Sequence, residues 1–173
     1  MPLVRDARPD DALAVATAHV ASWRAAYRGI LPDDYLDRLA VEDRLGWWVE
    51  RLGAGRDSRH HIVVVEDGAG RIVGFGSAGP EASGEPEVWQ VYLEPDAWGR
   101  GHGRTVLDEL VRRLGADGHT DAVLWVAPGN DRARRMYERA GWVADGAEQT
   151  EELWGVEVTS VRYRRSLTGS GPA

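Results

Sequence analysis

The chain has 173 residues, about one domain's length, and at that size folding buries enough surface to need neither disulfides nor a structural metal. It contains no cysteine, which excludes a thiolate nucleophile, a Cys-ligated zinc and an iron–sulfur cluster and fits a reducing cytoplasm. All 21 basic residues are Arg, so Schiff-base chemistry, covalent pyridoxal phosphate and a Walker lysine are excluded as well. With 28 acidic residues and a formal charge of -7, the chain has the wrong sign for a nucleic-acid partner and suits a cationic amine better.

The longest apolar run, residues 122–127, falls far short of the ~20 needed for a membrane span. The acidic, Arg-punctuated N-terminus has no signal-peptide pattern, so a cytoplasmic protein with no membrane partner is expected. Residues 3–7 read as a short strand. Pro9-Asp10-Asp11 then starts a helix whose apolar positions Leu13, Ala16, Val20, Trp23 and Tyr27 keep helical spacing, and Gly29 ends it. Residues 33–39 and 41–52 read as further helical segments, with Leu36, Leu39, Leu45, Trp48 and Leu52 turned inward.

At His61 the pattern changes to strand, and residues 62–65, the turn Asp67-Gly68-Ala69-Gly70 and residues 71–77 make a hairpin. Residues 87–93 form the next strand, which runs through Pro95 into a glycine loop and a helix carrying Val106, Leu107, Leu110, Val111 and Leu114. A strand at 122–126, a helix at 130–140 closed by Gly141, a strand at 142–144 and a last strand at 157–165 complete the pattern. No repeat or linker interrupts it, so a single domain over 1–167 with a disordered tail at 168–173 is expected.

The junction Trp98-Gly99-Arg100-Gly101-His102-Gly103-Arg104 carries the clearest chemical signal. Glycines let the backbone approach a ligand, and consecutive N–H groups at a helix start, with the dipole behind them, make an anion site fit for a diphosphate. A flexible loop that only caps a helix is the other reading of three alternating glycines. The spacing lacks the gap and later acidic residue of a dinucleotide fingerprint, and there is no Gly-Lys-Ser/Thr. Downstream, Asn130-x-x-Ala133-x-x-x-Tyr137-Glu138-x-x-Gly141-Trp142 puts Asn130 and Tyr137 two helical turns apart on one side of a helix.

Strand, Pro, Gly loop, helix and strand followed by that run resemble the GCN5-related N-acetyltransferase (GNAT) superfamily over nearly the whole chain. The resemblance implies an α+β fold: a mixed central β-sheet of about six to seven strands flanked by about four helices. Its central parallel strands splay between residues 92–93 and 122–126. It implies an acetyl-CoA-dependent N-acetyltransferase that passes acetyl directly to a primary amine of a small molecule in a ternary complex, with acetyl-CoA as co-substrate and no metal. The superfamily signature Gln/Arg-x-x-Gly-x-Gly/Ala falls on Trp98-x-x-Gly101-x-Gly103, with Trp where Gln or Arg is usual.

By the same resemblance Trp98 through Arg104 form the cofactor loop, His102 through its backbone, with Arg100 and Arg104 toward the charged end of CoA. The pantetheine arm pairs with the main chain of Val91, Tyr92 and Leu93 like an added strand, and an N–H near Leu93 faces the thioester oxyanion. Asn130 contacts the pantetheine amides, Ala133 belongs to the same frame, and the Tyr137 hydroxyl protonates the departing thiolate. Glu87 is the candidate general base, directly or through water, against the reading of an exposed strand-end carboxylate. Alternation puts it on one face with Trp89, Val91 and Leu93.

Trp23, Tyr27, Trp47 and Trp48, with Asp33 and Asp34, are candidates for holding a cationic acceptor such as a polyamine, an amino sugar or an antibiotic; a core role for these aromatics is the commoner one. Acetylation of protein N-termini and a non-catalytic acetyl-CoA-binding regulatory module are the alternatives, and the module needs neither Tyr137 nor a base. Arg132, Arg134, Arg135 and Arg139 read as the solvated face of a helix, and the five His residues show no metal-ligand spacing. Pairing of the 157–165 strand between subunits would make a homodimer.

Overall fold

The computed structural model describes residues 2–55 and 59–168, so the expected tail lies, Thr168 apart, outside the described residues. Seven strands form one sheet: β1 Leu3–Asp6, β2 His61–Glu66, β3 Ile72–Pro80, β4 Pro86–Leu93, β5 Asp121–Val126, β6 Val143–Leu153 and β7 Val156–Ser166. Their order is β1-β2-β3-β4-β5-β7-β6, with β4 and β5 parallel and every other neighbouring pair antiparallel. Among the described residues five α-helices flank it where about four were expected: α1 Ala12–Ala26, α2 Asp33–Arg38, α3 Glu42–Gly53, α4 His102–Ala116 and α5 Asp131–Arg139.

The helices divide between the two faces of the sheet. On one, α4 buries Val106, Leu107, Leu110 and Leu114 against β2, β3 and β4, and α5 joins them through Tyr137 and Ala140. Two glycines let α4 lie close: a Cβ on Gly76 would stand 2.5 Å from Val106, and one on Gly103 2.9 Å from the Met136 sulfur. On the other face α1 packs Val15, Ala16 and Ala18 with Trp48 of α3 over Val64 and Phe75. Leu13, expected inside, is 59% exposed on the outer side of α1.

The C-terminal region departs most from expectation. The strand expected at 142–144 runs on to Leu153 and turns at Trp154 and Gly155 into β7. Strand β7 lies inside the sheet, paired on both sides; β1 is the edge strand at one end and β6 at the other. This outer strand is mostly exposed and rich in Glu, so it shows none of the apolar alternation that marks a half-buried strand. Charged side chains along an exposed edge disfavour pairing with another strand. Among the described residues no helix is long and apolar enough to cross a membrane.

Candidate active site

Strands β4 and β5 pair only at Glu87 with Val123 and Val88 with Leu124, then diverge. The expected splay is therefore present, and a cavity of about 390 Å³ occupies it between β4, the glycine turn and α5. The Glu94 N–H donates to the Val73 carbonyl at 2.9 Å, which sets the alternation of the β3–β4 ladder. Tyr92 exchanges its main-chain bonds with Phe75, while Val91 and Leu93 turn theirs toward the gap. Tyr92 meets the cavity with its side chain instead.

A bulge in β4 reverses the expected facing of Glu87. Ser77 pairs with Gln90 and Ala78 with Val88, leaving Trp89 as the extra residue. Val88, Val91 and Leu93 therefore all pack toward α4, and Glu87 faces the α1–α3 side with Gln90 and Tyr92. There, burial first and then the carboxylates of Glu81, Glu151 and Glu85 push its carboxyl up to about 8. Glu87 does not line the splayed cavity; Trp89 does, and its indole N–H donates to Glu81.

The turn between β4 and α4 presents its main chain to the cavity. Gly99 and Gly101 hold φ of 72° and 85°, a region that L side chains rarely adopt, and Gly101 is the residue that opens α4. Among the described residues no protein group accepts from the N–H groups of Gly99 through Arg104. Six adjacent donors at the positive end of a 15-residue helix make an anion cradle. His102 is buried, its ring against the Ala97 carbonyl at 3.2 Å, so it offers the cradle main chain alone. Arg100 does not line the cavity; Arg104 does, held by Asp108 at 2.8 Å.

Trp98, at the signature's first position, donates its indole N–H to the Leu93 carbonyl at 3.0 Å. Leu93 thus keeps its N–H for the gap while its carbonyl is taken. Arg132 lies 3.2 Å above the Trp98 ring, and Arg135 and Arg139 also line the cavity. The face read as merely solvated is therefore a cationic rim; only Arg134 of the four turns away, to the Tyr163 hydroxyl and the Pro128 carbonyl. Residues 132, 135 and 139 are three and four apart and share one face of the helix, but their spacing does not say that this face borders a cleft.

Helix α5 is anchored at both ends. Asn130 caps it, its side chain accepting from the Ala133 N–H at 3.2 Å. Gly141, at φ 82°, closes it, with the Trp142 N–H on the Tyr137 carbonyl at 3.1 Å and its own N–H on Glu138 at 3.0 Å. Asn130, Ala133 and Tyr137 all reach the cavity. Burial, then the neighbouring Tyr92, pushes the Tyr137 phenol far above its ordinary value, so it stays protonated. Tyr27, raised by burial and by Tyr92, lines the cavity from α1. Trp23 and Trp48 are buried in the core, Trp47 is 41% exposed, and Asp33 and Asp34 are exposed and paired with Arg28 and Arg38.

A splayed parallel pair, a cradle of main-chain N–H groups and a buried phenol meet at one cavity. The sequence profile of the Acetyltransferase (GNAT) family matches residues 18–142, and the chain belongs to that family as an acetyl-CoA-dependent N-acetyltransferase. It is 30% identical over 165 residues to YuaI, an uncharacterised N-acetyltransferase of Bacillus subtilis, covering 93% of this chain and 91% of that one. It is 36% identical over 132 residues to the mycothiol acetyltransferase of Propionibacterium freudenreichii, covering 74% of this chain but 38% of that protein. Its fold matches that of PaiA N-acetyltransferase from Thermoplasma acidophilum, solved in complex with coenzyme A, with a TM-score of 0.74 at 16% identity, over 96% of this chain and 99% of that one.

Proposed function

We propose that the chain transfers acetyl from acetyl-CoA directly to a primary amine of a small molecule, with both substrates bound at once. The observation that carries the reading is the position of Trp89. It lines the splayed cavity and also a second cavity of about 420 Å³ on the α1–α3 side of the sheet. A thioester and an amine entering from opposite sides then meet beside Trp89, where the amine nitrogen can reach the thioester carbon and CoA leaves as the thiol, so no covalent acyl-enzyme is required. Similarity to mycothiol acetyltransferases favours a small-molecule acceptor, and the absence of cysteine favours the cytoplasm.

In this reading the N–H groups from Gly99 to Arg104 hold the diphosphate, and Arg104, Arg135 and Arg139 neutralise its charge. The main chain of Val91 and the Asn130 side chain orient the pantetheine amides, beside Ala133. The Leu93 N–H stabilises the oxyanion. Glu87 takes the ammonium proton through water, since it stands behind the bulge, and Tyr137 gives a proton to the departing thiolate.

The test is CoA release across a panel of primary amines. At least one small amine is expected to gain a single acetyl group by mass at about 1 turnover per second or faster. Acetyl-CoA binding with no release on any amine would leave only a binding module, and acetylation confined to peptide N-termini would move the acceptor to proteins.

A further inference from the structure

Arg44 on α3 is 3% exposed, yet among the described residues it has no ion-pair partner. Its Nε is unpartnered, and its Nη2 reaches the Tyr35 hydroxyl, at 3.3 Å. The guanidinium lies instead between two indoles, 4.2 Å from the Trp154 ring and 5.6 Å from the Trp23 ring. The buried Asp11, by contrast, is met by Arg5 at 2.7 Å. Aromatic faces repay only part of the loss of water around a cation, so the charge of Arg44 is under-compensated.

The cover over that charge is itself unusual. Trp154, at the β6–β7 turn, is the one non-glycine with positive φ among the described residues, at 55°. Its carbonyl accepts from the Tyr35 hydroxyl at 3.1 Å, and its ring stands edge-on to Trp47 at 5.5 Å. Trp47 lines the second cavity, so one indole touches both the buried cation and the cavity wall. That cavity is bipolar: Glu81 lies at its Trp89 end, and Arg51, two turns beyond Arg44 on α3, at its Trp47 end.

We propose that Arg44 is the carboxylate receptor of the acceptor site, so that the acceptor is an amino acid or related amino-carboxylate, admitted when Trp154 moves off the guanidinium. The assignment rests on the acetyltransferase reading above. The acceptor's ammonium faces the carboxylates near Trp89 and the bulge, its carboxylate faces α3, and a planar guanidinium suits bidentate capture of that group.

The experiment compares kcat/KM for L-amino acids and their carboxamides with the same side chains. A carboxamide has the more easily deprotonated amine, so a preference for the acids does not arise from amine basicity. The acids are expected to be preferred by about tenfold, the effect of one charge-assisted bidentate contact. Arg44→Met is expected to bring the ratio close to one by raising KM for the acids while leaving the carboxamides unchanged, and Arg44→Lys to restore part of it. Equal use of acids and carboxamides, or a ratio that Arg44→Met leaves intact, overturns the assignment. Turnover of other amines but of no amino-carboxylate overturns it too, and leaves the acetyltransferase reading standing. If no amine releases CoA, the substrate-free melting temperature decides. Arg44→Met is expected to match or exceed the wild type, because an uncompensated cation has been removed; a fall of several degrees makes Arg44 a packing element and overturns the assignment.

Discussion

The two faces of β4 are built of different materials. Toward α4 and α5 the groups proposed to bind are mostly main chain: the gap-facing amides of Val91 and Leu93 and the donors from Gly99 to Arg104. Toward α1 to α3 they are side chains, with Trp47, Trp89 and Glu81 around one cavity and Arg44 behind Trp154. A main-chain site depends on backbone conformation, so it accepts Trp98 where Gln or Arg is usual. A side-chain site depends on which residues meet, so its specificity changes with single substitutions. The donor half should therefore be broken by backbone changes and the acceptor half by changes of charge.

The largest effect is expected from Gly101→Val. A β-branched residue at φ 85° is strained whatever the space around it, and the cradle's donors lose their alignment. Acetyl-CoA affinity should fall at least about 100-fold by calorimetry, a loss of roughly 2.7 kcal/mol, with the far-UV circular dichroism retained. Affinity within a factor of three of wild type would mean that the diphosphate is held elsewhere.

Next in size is Tyr137→Phe, which should lower kcat by about 100-fold, within the usual range for one general acid, and leave acetyl-CoA affinity nearly unchanged. Because the phenol stays protonated, no alkaline limb from Tyr137 is expected below pH 9. An unchanged kcat would assign the thiolate proton to another group.

Glu87→Gln tests the other side of the bulge and is expected to act mainly through pH. The wild-type rate should climb as the carboxyl ionises around pH 8, and the variant should lose that limb. Stability carries the same signature. The folded value lies above the ordinary 4.5, so between about pH 4.5 and 8 the native state holds a proton that the unfolded chain releases. Stability then falls as pH rises through that window. The melting temperature of Glu87→Gln, relative to wild type, should rise across the same interval and level off above it; a constant difference would place Glu87 in ordinary solvent.

The smallest change is expected from Arg135→Gln and Arg139→Gln, on the exposed rim of the donor cavity. Each should weaken acetyl-CoA binding by about two- to fivefold at low salt and by less at high salt, since surface charges are screened. A salt-independent loss would show that these side chains act by packing.

Much of the donor half was legible because its signals are local. Positive-φ glycines, an Asn cap three residues before Ala133 and a Gly stop after Ala140 lie within short windows, and each dictates backbone geometry by itself. The errors came where geometry depends on partners. Strict alternation failed at Trp89 because a bulge is a property of two paired strands. Strand β6 went mostly unseen because both its faces are largely exposed. Arg132, Arg135 and Arg139 of α5 are exposed, as read, but amphipathic spacing cannot say that their face borders a cleft.

The sequence by itself determined the family, the order of nearly all the elements and the cradle of main-chain donors, since these follow from periodicity and from residues that permit or forbid particular backbone angles. Only the tertiary structure decided that Glu87 faces away from Val91, that β7 is an inner strand, and that Trp154 closes over Arg44. Those pairings join positions up to 110 apart in the chain. Their energies come from desolvation and packing between segments, which no local pattern records.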